Sequence, residues 1–320
     1  MRFRWLLPLG LGLSVWTAGA FAAEAYPNRP VRLVVPTGAG GLTDILARMI
    51  AEKIRLGQQM IVDNRTGASG IIGSDIVAKA SPDGYTLLMA FPSHPVNLSL
   101  YKKLPYDTIK DFAPITMATS VALILVVHAS SPAKSVGDLI ALAKERPGQL
   151  NYGSVGQGSL TQLSAELFGS LAGITITNVS YKGVPQVQAA LLSQEIQFSF
   201  ATPITALGQV RAGKLRVLGA STRTRLAILP DVPTVSESGV PGYEAVGWNG
   251  VLAPAKTPRA IINRLHEEIV KVLRMPDVIE RLAAQGVEPA YNSPEEFGAI
   301  IKADVEKWAK LVKSAGLQTN

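Results

Sequence analysis

A short apolar run, a glycine-rich turn and a helix with one apolar face follow one another repeatedly in this sequence. In the first set, the run 31–35 and the turn 36–41 precede apolar residues at helical spacing, namely Leu42, Ile45, Leu46 and Met49. Similar sets begin near residues 60, 85 and 151. Because strands that alternate with helices form mostly parallel sheets, this order predicts an α/β fold.

The chain has 320 residues, which is enough for two domains. Two β-like runs, 123–128 and 246–252, are interpreted as crossovers between them. We therefore expect residues 26–122 and 246–320 to form a first domain and residues 123–245 a second. In the second domain, strands are expected near 174–179, 196–200 and 215–220, with helices near 136–144, 160–171, 185–192 and 204–212.

Three helix starts show capping signals. Ser159 with Gln162 and Ser293 with Glu296 have the spacing of capping boxes, and Thr257 before Pro258 is expected to cap the helix that follows. The helices at the C-terminal end are expected to pack back on the first domain.

The first 25 residues have the pattern of a secretory signal peptide. Arg2 and Arg4 precede an apolar stretch, 5–21, and small residues then offer cleavage sites between Ala22 and Ala25. The alternative, a membrane anchor, is disfavoured because Pro8 and two glycines interrupt a stretch that is short for a span. The pattern predicts export and a mature protein in the periplasm.

Composition excludes several classes of function. The chain has no cysteine, so it has no disulfide, thiolate metal site or thiol nucleophile. Its net charge of +7 comes from scattered residues without a basic run, which argues against nucleic-acid binding. No catalytic motif or carboxylate pair stands out, and Glu267, Glu268 and Lys271 have the pattern of a solvated helix face. We expect neither a metal nor a cofactor.

The loop after the first predicted strand has the chemistry of an anion site. Glycines allow close approach of a ligand, and the backbone N–H groups at the start of the following helix carry partial positive charge. A nucleotide-binding fingerprint is not matched, because Thr43 stands where glycine is needed. The alternative is a tight turn with Thr43 or Asp44 as cap. The candidate residues are Thr37, Gly38, Ala39, Gly40, Gly41, Thr43 and Asp44.

A second loop repeats this arrangement in the second half of the chain. It runs from Ser154 through Gly156 and Gly158 to Ser159, again between a predicted strand and helix. In a two-domain α/β protein, two such loops can face each other across a cleft and hold a ligand. Two unrelated helix caps are the alternative.

Ser93 and His94 lie in a segment, 91–97, interpreted as a loop at the end of a third strand. Both are candidates for lining the cleft, as is Thr202 after a strand of the second domain. The other histidines, His128 and His266, are interpreted as structural or surface residues.

Several short motifs are spread over the whole mature chain. They are Val35-Pro36 with Gly40-Gly41 and Asp44, Asn64-Arg65 with Gly67-Ala68 and Gly70, Pro82-Asp83-Gly84-Tyr85, Tyr152-Gly153-Ser154, Tyr181-Lys182-Gly183, Ala212-Gly213-Lys214, Leu229-Pro230-Asp231-Val232-Pro233-Thr234, and Gly239 with Pro241-Gly242-Tyr243. Together these motifs resemble the tripartite tricarboxylate transporter receptor family, also called the Bug family.

The resemblance implies a type II-like periplasmic-binding-protein fold, with two domains joined by two crossover strands around a ligand cleft. It implies a monomeric solute-binding protein that captures a small mono- or dicarboxylate and delivers it to the permease subunits of a tripartite tricarboxylate transporter, and not an enzyme. The carboxylate is expected to meet backbone N–H groups of both loops and the hydroxyls of Thr37, Ser154 and Ser159.

Two departures from the family pattern bear on the ligand. Thr37 stands where many members carry an aromatic residue, which predicts a more polar or larger pocket. No acidic residue lies near Thr202 to meet an ammonium group, which favours an acid that is not an amino acid. A receptor that signals to a sensor, and a secreted hydrolase, are the alternative functions.

Overall fold

The computed structural model describes residues 26–283 and 287–318, so the predicted signal peptide lies outside the described residues. The strands are β1 (Val31–Val35), β2 (Met60–Asn64), β3 (Thr86–Ala90), β4 (Phe112–Val121), β5 (Ile124–His128), β6 (Asn151–Ser154), β7 (Thr177–Ser180), β8 (Phe198–Ala201), β9 (Leu215–Ala220), β10 (Gly247–Pro254) and β11 (Glu288–Pro289). The α-helices are α1 (Leu42–Lys53), α2 (Ile71–Ala78), α3 (Ser93–Leu100), α4 (Val136–Glu145), α5 (Leu160–Ala172), α6 (Val184–Leu192), α7 (Pro203–Arg211), α8 (Arg259–Leu273), α9 (Pro276–Ala283) and α10 (Pro294–Ser314).

The strands form two sheets with helices packed on them, as the predicted α/β class requires. The first sheet has the order β11-β4-β10-β3-β1-β2, and the second has the order β7-β6-β8-β5-β9. In the first sheet β1 is parallel to β2 and β3, while β10 is antiparallel to β3 and β4. Buried Val and Leu side chains of β1, with Leu87 and Met89 of β3, share one core with apolar residues of α1 and α8, as expected for strands that are covered by helices.

Two connections join the sheets, one between β4 and β5 and the other between β9 and β10. Strand β4 ends at Val121 on the same edge of the first sheet as the carboxyl ends of β1 and β3. Strand β5 begins at Ile124, which pairs with the last residues of β8 and β9. Since two residues separate β4 from β5, the carboxyl ends of strands in the two sheets meet at one junction.

Helix α10 spans both halves of the structure. It packs against α3 and β4 and also against α5 of the second sheet. Trp248 of β10 donates through Nε1 to Asp304 Oδ2 at 2.7 Å, while Trp308, one turn further on, is buried in the core under the second sheet. The last helix therefore packs on more than the first domain, to which the sequence assigned it. Among the described residues, no helix combines the length and the hydrophobicity needed to cross a membrane.

Four local expectations require correction. The segment 91–97 is largely helix α3 and not a loop, and β4 was not predicted. Thr257 does not cap α8, because its hydroxyl donates to the carbonyl oxygen of Pro254 at 2.7 Å. Gln162 does not complete a capping box, because its side chain accepts from the N–H of Gly158 instead.

Other local expectations are confirmed. Ser159 caps α5 and Ser293 forms a capping box with Glu296. Lys271 pairs with Glu268 on the exposed face of α8. His128 and His266 have structural contacts: His128 lies against Ser130, and His266 lies against the carbonyl oxygen of Ile115 in β4.

Candidate functional site

The loop between β1 and α1 is organised by the carboxylate of Asp44. Asp44 Oδ2 accepts from the N–H of Gly40 and from Arg48 Nε, both at 2.9 Å, and Oδ1 accepts from Asn64 Nδ2 at 2.9 Å. Gly40 has a φ of +84°, a conformation that favours glycine. Burial alone would raise the pKa of Asp44, but these hydrogen bonds outweigh it and hold the pKa below its usual value.

Asp44 is thus placed to shape the loop and not to contact an anion. Its side chain is buried, and its oxygens already accept from Gly40 of the loop, Arg48 of α1 and Asn64 of β2. Asn64 also donates to the carbonyl oxygen of Thr37 at 3.1 Å, so the same amide restrains both ends of the turn.

The backbone N–H groups of this first loop are largely unengaged. Within the part of the chain that the structure describes, six of them donate to no protein acceptor: those of Thr37, Gly38, Ala39, Gly41, Leu42 and Thr43. The hydroxyl oxygen of Thr37 is buried and likewise has no hydrogen-bond partner. A cluster of free donors at the start of a 12-residue helix is an arrangement that binds anions.

The loop between β6 and α5 is held in a similar way. Gly156 and Gly158 have positive φ angles of +115° and +71°. The hydroxyl of Ser159 donates to the carbonyl oxygen of Gly156 at 2.6 Å and accepts from the N–H of Gln162, so it is engaged within the loop. Thr161 Oγ1 accepts from the N–H of Val155 at 3.2 Å.

Three donors of this second loop have no protein partner among residues 26–283 and 287–318. They are the N–H groups of Gly156 and Gln157 and the hydroxyl of Ser154, whose side chain is completely buried. A buried hydroxyl without a partner costs free energy, of the order of 1–3 kcal/mol. A ligand acceptor at the end of β6 would satisfy this hydroxyl.

Both loops lie at the sheet edges that meet at the junction between β4 and β5. The first follows β1, and the second follows β6, whose carboxyl end lies beside that of β8 at the junction of the sheets. The second loop also touches the first half of the chain directly. Ser93 Oγ of α3 donates to the carbonyl oxygen of Gly158 at 3.4 Å, and a Cβ on Gly158 would overlap Leu100 Cδ1.

His94 lies away from these free donors, in an aromatic cluster. Its ring is 1% exposed, packs edge-on against Phe112 with centroids 4.9 Å apart and stacks on Tyr106 at 6.1 Å. Ser74 Oγ lies 3.5 Å from Nδ1. Burial lowers the pKa of His94 to about 4, so the ring is neutral at pH 7 and packs as a core residue.

Thr202 begins α7 at the carboxyl end of β8. Its hydroxyl lies 3.1 Å from Thr205 Oγ1, and its carbonyl oxygen accepts from the N–H and hydroxyl of Thr205. It therefore stands on the same edge of the second sheet as Ser154, with its polar atoms engaged locally.

Two positioning residues were missed in the sequence. Asn64 lies in the Asn64-Arg65 motif, which was recognised without a role for its amide. Asn249 of β10 accepts from Thr43 Oγ1 at 2.9 Å and donates to Thr119 Oγ1 at 3.2 Å. Nothing in the local sequence marks Asn249, because its partners are more than 100 residues away.

No group of three or more His, Cys, Asp or Glu side chains suited to a metal ion occurs in the described ranges. The donors that converge on the junction are N–H groups and hydroxyls. This arrangement can recognise an anion, and a carboxylate fits it in charge and shape.

Comparison with known proteins agrees with this geometry. A family model described as "Tripartite tricarboxylate transporter family receptor" matches residues 46–317. Protein BugT of Bordetella pertussis is 36% identical over 313 residues, covering 96% of each chain. The structure of Rhodopseudomonas palustris Rpa4515 with adipate superposes with a TM-score of 0.78 at 37% identity, covering 91% of this chain and 98% of the other. MatC (Rpa3494) of the same species with bound malate has a TM-score of 0.75 at 29% identity, covering 90% and 100%.

Proposed function

The chain belongs to the tripartite tricarboxylate transporter receptor family, and on this premise we propose that it captures a small carboxylate between its two domains for delivery to a membrane permease. Proteins of this family are solute-binding receptors and not enzymes. Two structural relatives hold adipate and malate, which supports a carboxylate as the ligand here.

The observation that carries the proposal is the set of free donors on two facing loops. The N–H groups of Thr37 to Ala39 and of Gly41 to Thr43 supply one half of the site, and those of Gly156 and Gln157 supply the other. The buried hydroxyls of Thr37 and Ser154 have no protein partner, so a carboxylate would satisfy them. Hydrogen bonds to a charged acceptor are stronger than neutral ones, so binding would draw the two domains together.

The other candidate residues take supporting roles in this proposal. Asp44 and Gly40 shape the first loop, and Ser159 with Gly158 shapes the second. Ser93 connects α3 to the second loop. His94 packs beneath this region, and Thr202 stands beside the second loop at the end of β8.

Domain organisation and export form a further part of the proposal. The first sheet draws its strands from residues before 122 and after 246, while the second draws them from the intervening residues. This supports domain boundaries at 122/123 and 245/246. We propose that the signal peptide directs export of the protein to the periplasm. There it would bind the permease subunits as a monomer.

Isothermal titration calorimetry of the purified protein tests the proposal. Ligands would include acetate, malate, adipate and benzoate, with the neutral amide of each as comparator, together with glucose and arginine. We expect heat only from carboxylates, because an amide lacks the charge that the N–H groups recognise. Binding confined to glucose or arginine would contradict the proposal.

Two variants link that binding to the loops. Thr37→Val and Ser154→Ala each remove one unpartnered hydroxyl and should weaken binding about tenfold or more. Thr177→Val is the matched control, because its hydroxyl donates to the carbonyl oxygen of Gly148 on an exposed part of the second sheet. Equal affinities in all three variants would show that neither hydroxyl contacts the ligand.

A further inference from the structure

A cavity of about 60 Å³ lies inside the second domain, between α6, α7 and the second sheet. Its walls are mainly aliphatic side chains, among them Val126, Val155, Val184, Val187, Leu191 and Leu215. One water molecule needs about 10–15 Å³ of such a cavity volume. The cavity therefore accommodates roughly four to six water molecules, or a few carbon atoms.

The polar side chains that line this cavity are engaged with the protein. Ser199 Oγ donates to the carbonyl oxygen of Gly153 at 3.1 Å, and Thr205 Oγ1 donates to that of Thr202 at 2.9 Å. Gln188 Nε2 donates to the carbonyl oxygen of Thr205 at 2.9 Å. An occupant would therefore meet mainly methyl and methylene groups.

No Lys, Arg or His belongs to the lining, all of which lies in the described part of the chain. A carboxylate placed there would lose its hydration without gaining a charged partner, which is costly. The cavity is thus suited to a hydrocarbon group and unsuited to a second acidic group.

The cavity adjoins the second loop of the proposed carboxylate site. Val155 belongs to the second loop and Thr161 to the first turn of α5, while Thr202 and Thr205 stand at the carboxyl end of β8. All four are only partly buried. Val126 and Leu215, which also line the cavity, are buried in the aliphatic core of this face.

We propose that this cavity receives the hydrocarbon end of the ligand, so that the protein selects a monocarboxylate with a short aliphatic chain or an aromatic ring. The inference rests on the proposed carboxylate function of the two loops and specifies its substrate class. The free N–H groups would hold the carboxylate, and the chain would extend from it past Val155 into the cavity.

A chain-length series tests the inference on the unsubstituted protein. Calorimetric affinities would be compared for acetate, propanoate, butanoate, pentanoate and hexanoate, with adipate as the dicarboxylate of the same length as hexanoate. Each methylene that enters the cavity should raise the affinity about fourfold, the gain expected for burial of one CH₂. Hexanoate should bind more tightly than adipate.

Filling the cavity gives a second readout. Ala206 is 2% exposed and lines the cavity from α7, so Ala206→Leu should abolish the gain with chain length while acetate still binds within about twofold of the parent. Ala189→Leu, on the exposed side of α6, is the matched control and should leave the series unchanged.

The outcomes separate the two proposals. If carboxylates bind but affinity is flat along the series, or adipate binds more tightly than hexanoate, the cavity inference is overturned and the carboxylate function stands. If no carboxylate binds, both fail. The series on the unsubstituted protein decides the inference even where Ala206→Leu does not fold.

Discussion

Ser221 and Leu123 are joined by two hydrogen bonds at the connection between the domains. The N–H of Ser221 donates to the carbonyl oxygen of Leu123 at 2.8 Å, and the N–H of Leu123 donates to Ser221 Oγ at 2.9 Å. The carbonyl oxygen of Ser221 also accepts from the N–H of Ala245, which lies two residues before β10. One fully buried serine therefore ties together both chain segments that pass between the sheets.

Replacement of Ser221 by Ala should destabilise the protein. The substitution leaves the buried N–H of Leu123 without an acceptor, which costs about 1–3 kcal/mol. Urea unfolding measures the loss. Ser193→Ala is the control, because Ser193 Oγ donates to a carbonyl oxygen at the end of α6, away from the connections. A Ser221→Ala variant as stable as the control would show that the hydrogen bond contributes nothing.

Replacement of Asn64 by Ala should weaken ligand binding without direct contact to the ligand. The amide restrains both Thr37 and Asp44. Without it the first loop would be less ordered in the free protein, so part of the binding free energy would be spent on ordering the loop. We expect an affinity about tenfold lower by calorimetry. Asn178→Ala on β7, where the side-chain oxygen has no hydrogen-bond partner, should bind like the parent, and similar losses in both variants would contradict this role.

Substitutions of Ser159 should distinguish its effect on stability, as the cap of α5, from the effect of a negative charge at this position on carboxylate affinity. Ser159→Ala removes the cap of α5 and should cost about 1 kcal/mol of stability. Asn and Asp both retain a capping oxygen, but only Asp adds a negative charge beside the proposed anion site. Carboxylate affinity should therefore be at least about tenfold lower in Ser159→Asp than in Ser159→Asn, with a difference that shrinks as salt is added. Equal affinities would place the ligand elsewhere.

Acidification should destabilise the fold through His94. Its pKa in the folded protein, about 4, lies below the ordinary value of 6.5 because burial disfavours the charged ring. Above pH 6.5 the neutral ring makes its full contribution to the free energy of unfolding. This contribution is lost as the pH falls toward 4, because His94 is protonated at a higher pH in the unfolded chain than in the folded protein. Between pH 7 and 5 the free energy of unfolding should fall by about 2 kcal/mol from this group.

Chemical unfolding at several pH values measures that slope. His94→Gln is the control, because glutamine does not titrate and should remove most of the decrease over this range, whatever its own stability at pH 7. An unchanged slope in the variant would mean that another group is responsible.

The two loops show what local sequence can predict. Glycines between an apolar run and a helical repeat identify a strand, a turn with positive φ and a helix start, and all these signals act within about ten residues. The loops after β1 and β6 were predicted on that basis and occur at those places. The free N–H groups follow directly, because the first turn of any helix leaves them without intrahelical partners.

Segment 91–97 shows where local signals were insufficient. Proline and serine suggested a loop, but the residues form α3, since Val96 and Leu100 are buried in the core of the second sheet. His94 was expected at the cleft and is instead enclosed by Tyr106 and Phe112. The direction of a side chain depends on which distant surfaces pack around its helix, and the sequence around it does not specify them.

The α/β class, the two glycine-containing loops between strand and helix, and the family resemblance could be predicted from the sequence, because each arises from periodicity, backbone freedom or short motifs. Tertiary structure alone decided which polar groups are left free. The hydroxyl of Ser159 is used within its loop whereas that of Ser154 is not, and Asn249 supports Thr43 from 206 residues away. The physical reason is that hydrogen-bond partners and cavities depend on which distant segments of the chain pack together, and these contacts form only in the folded protein.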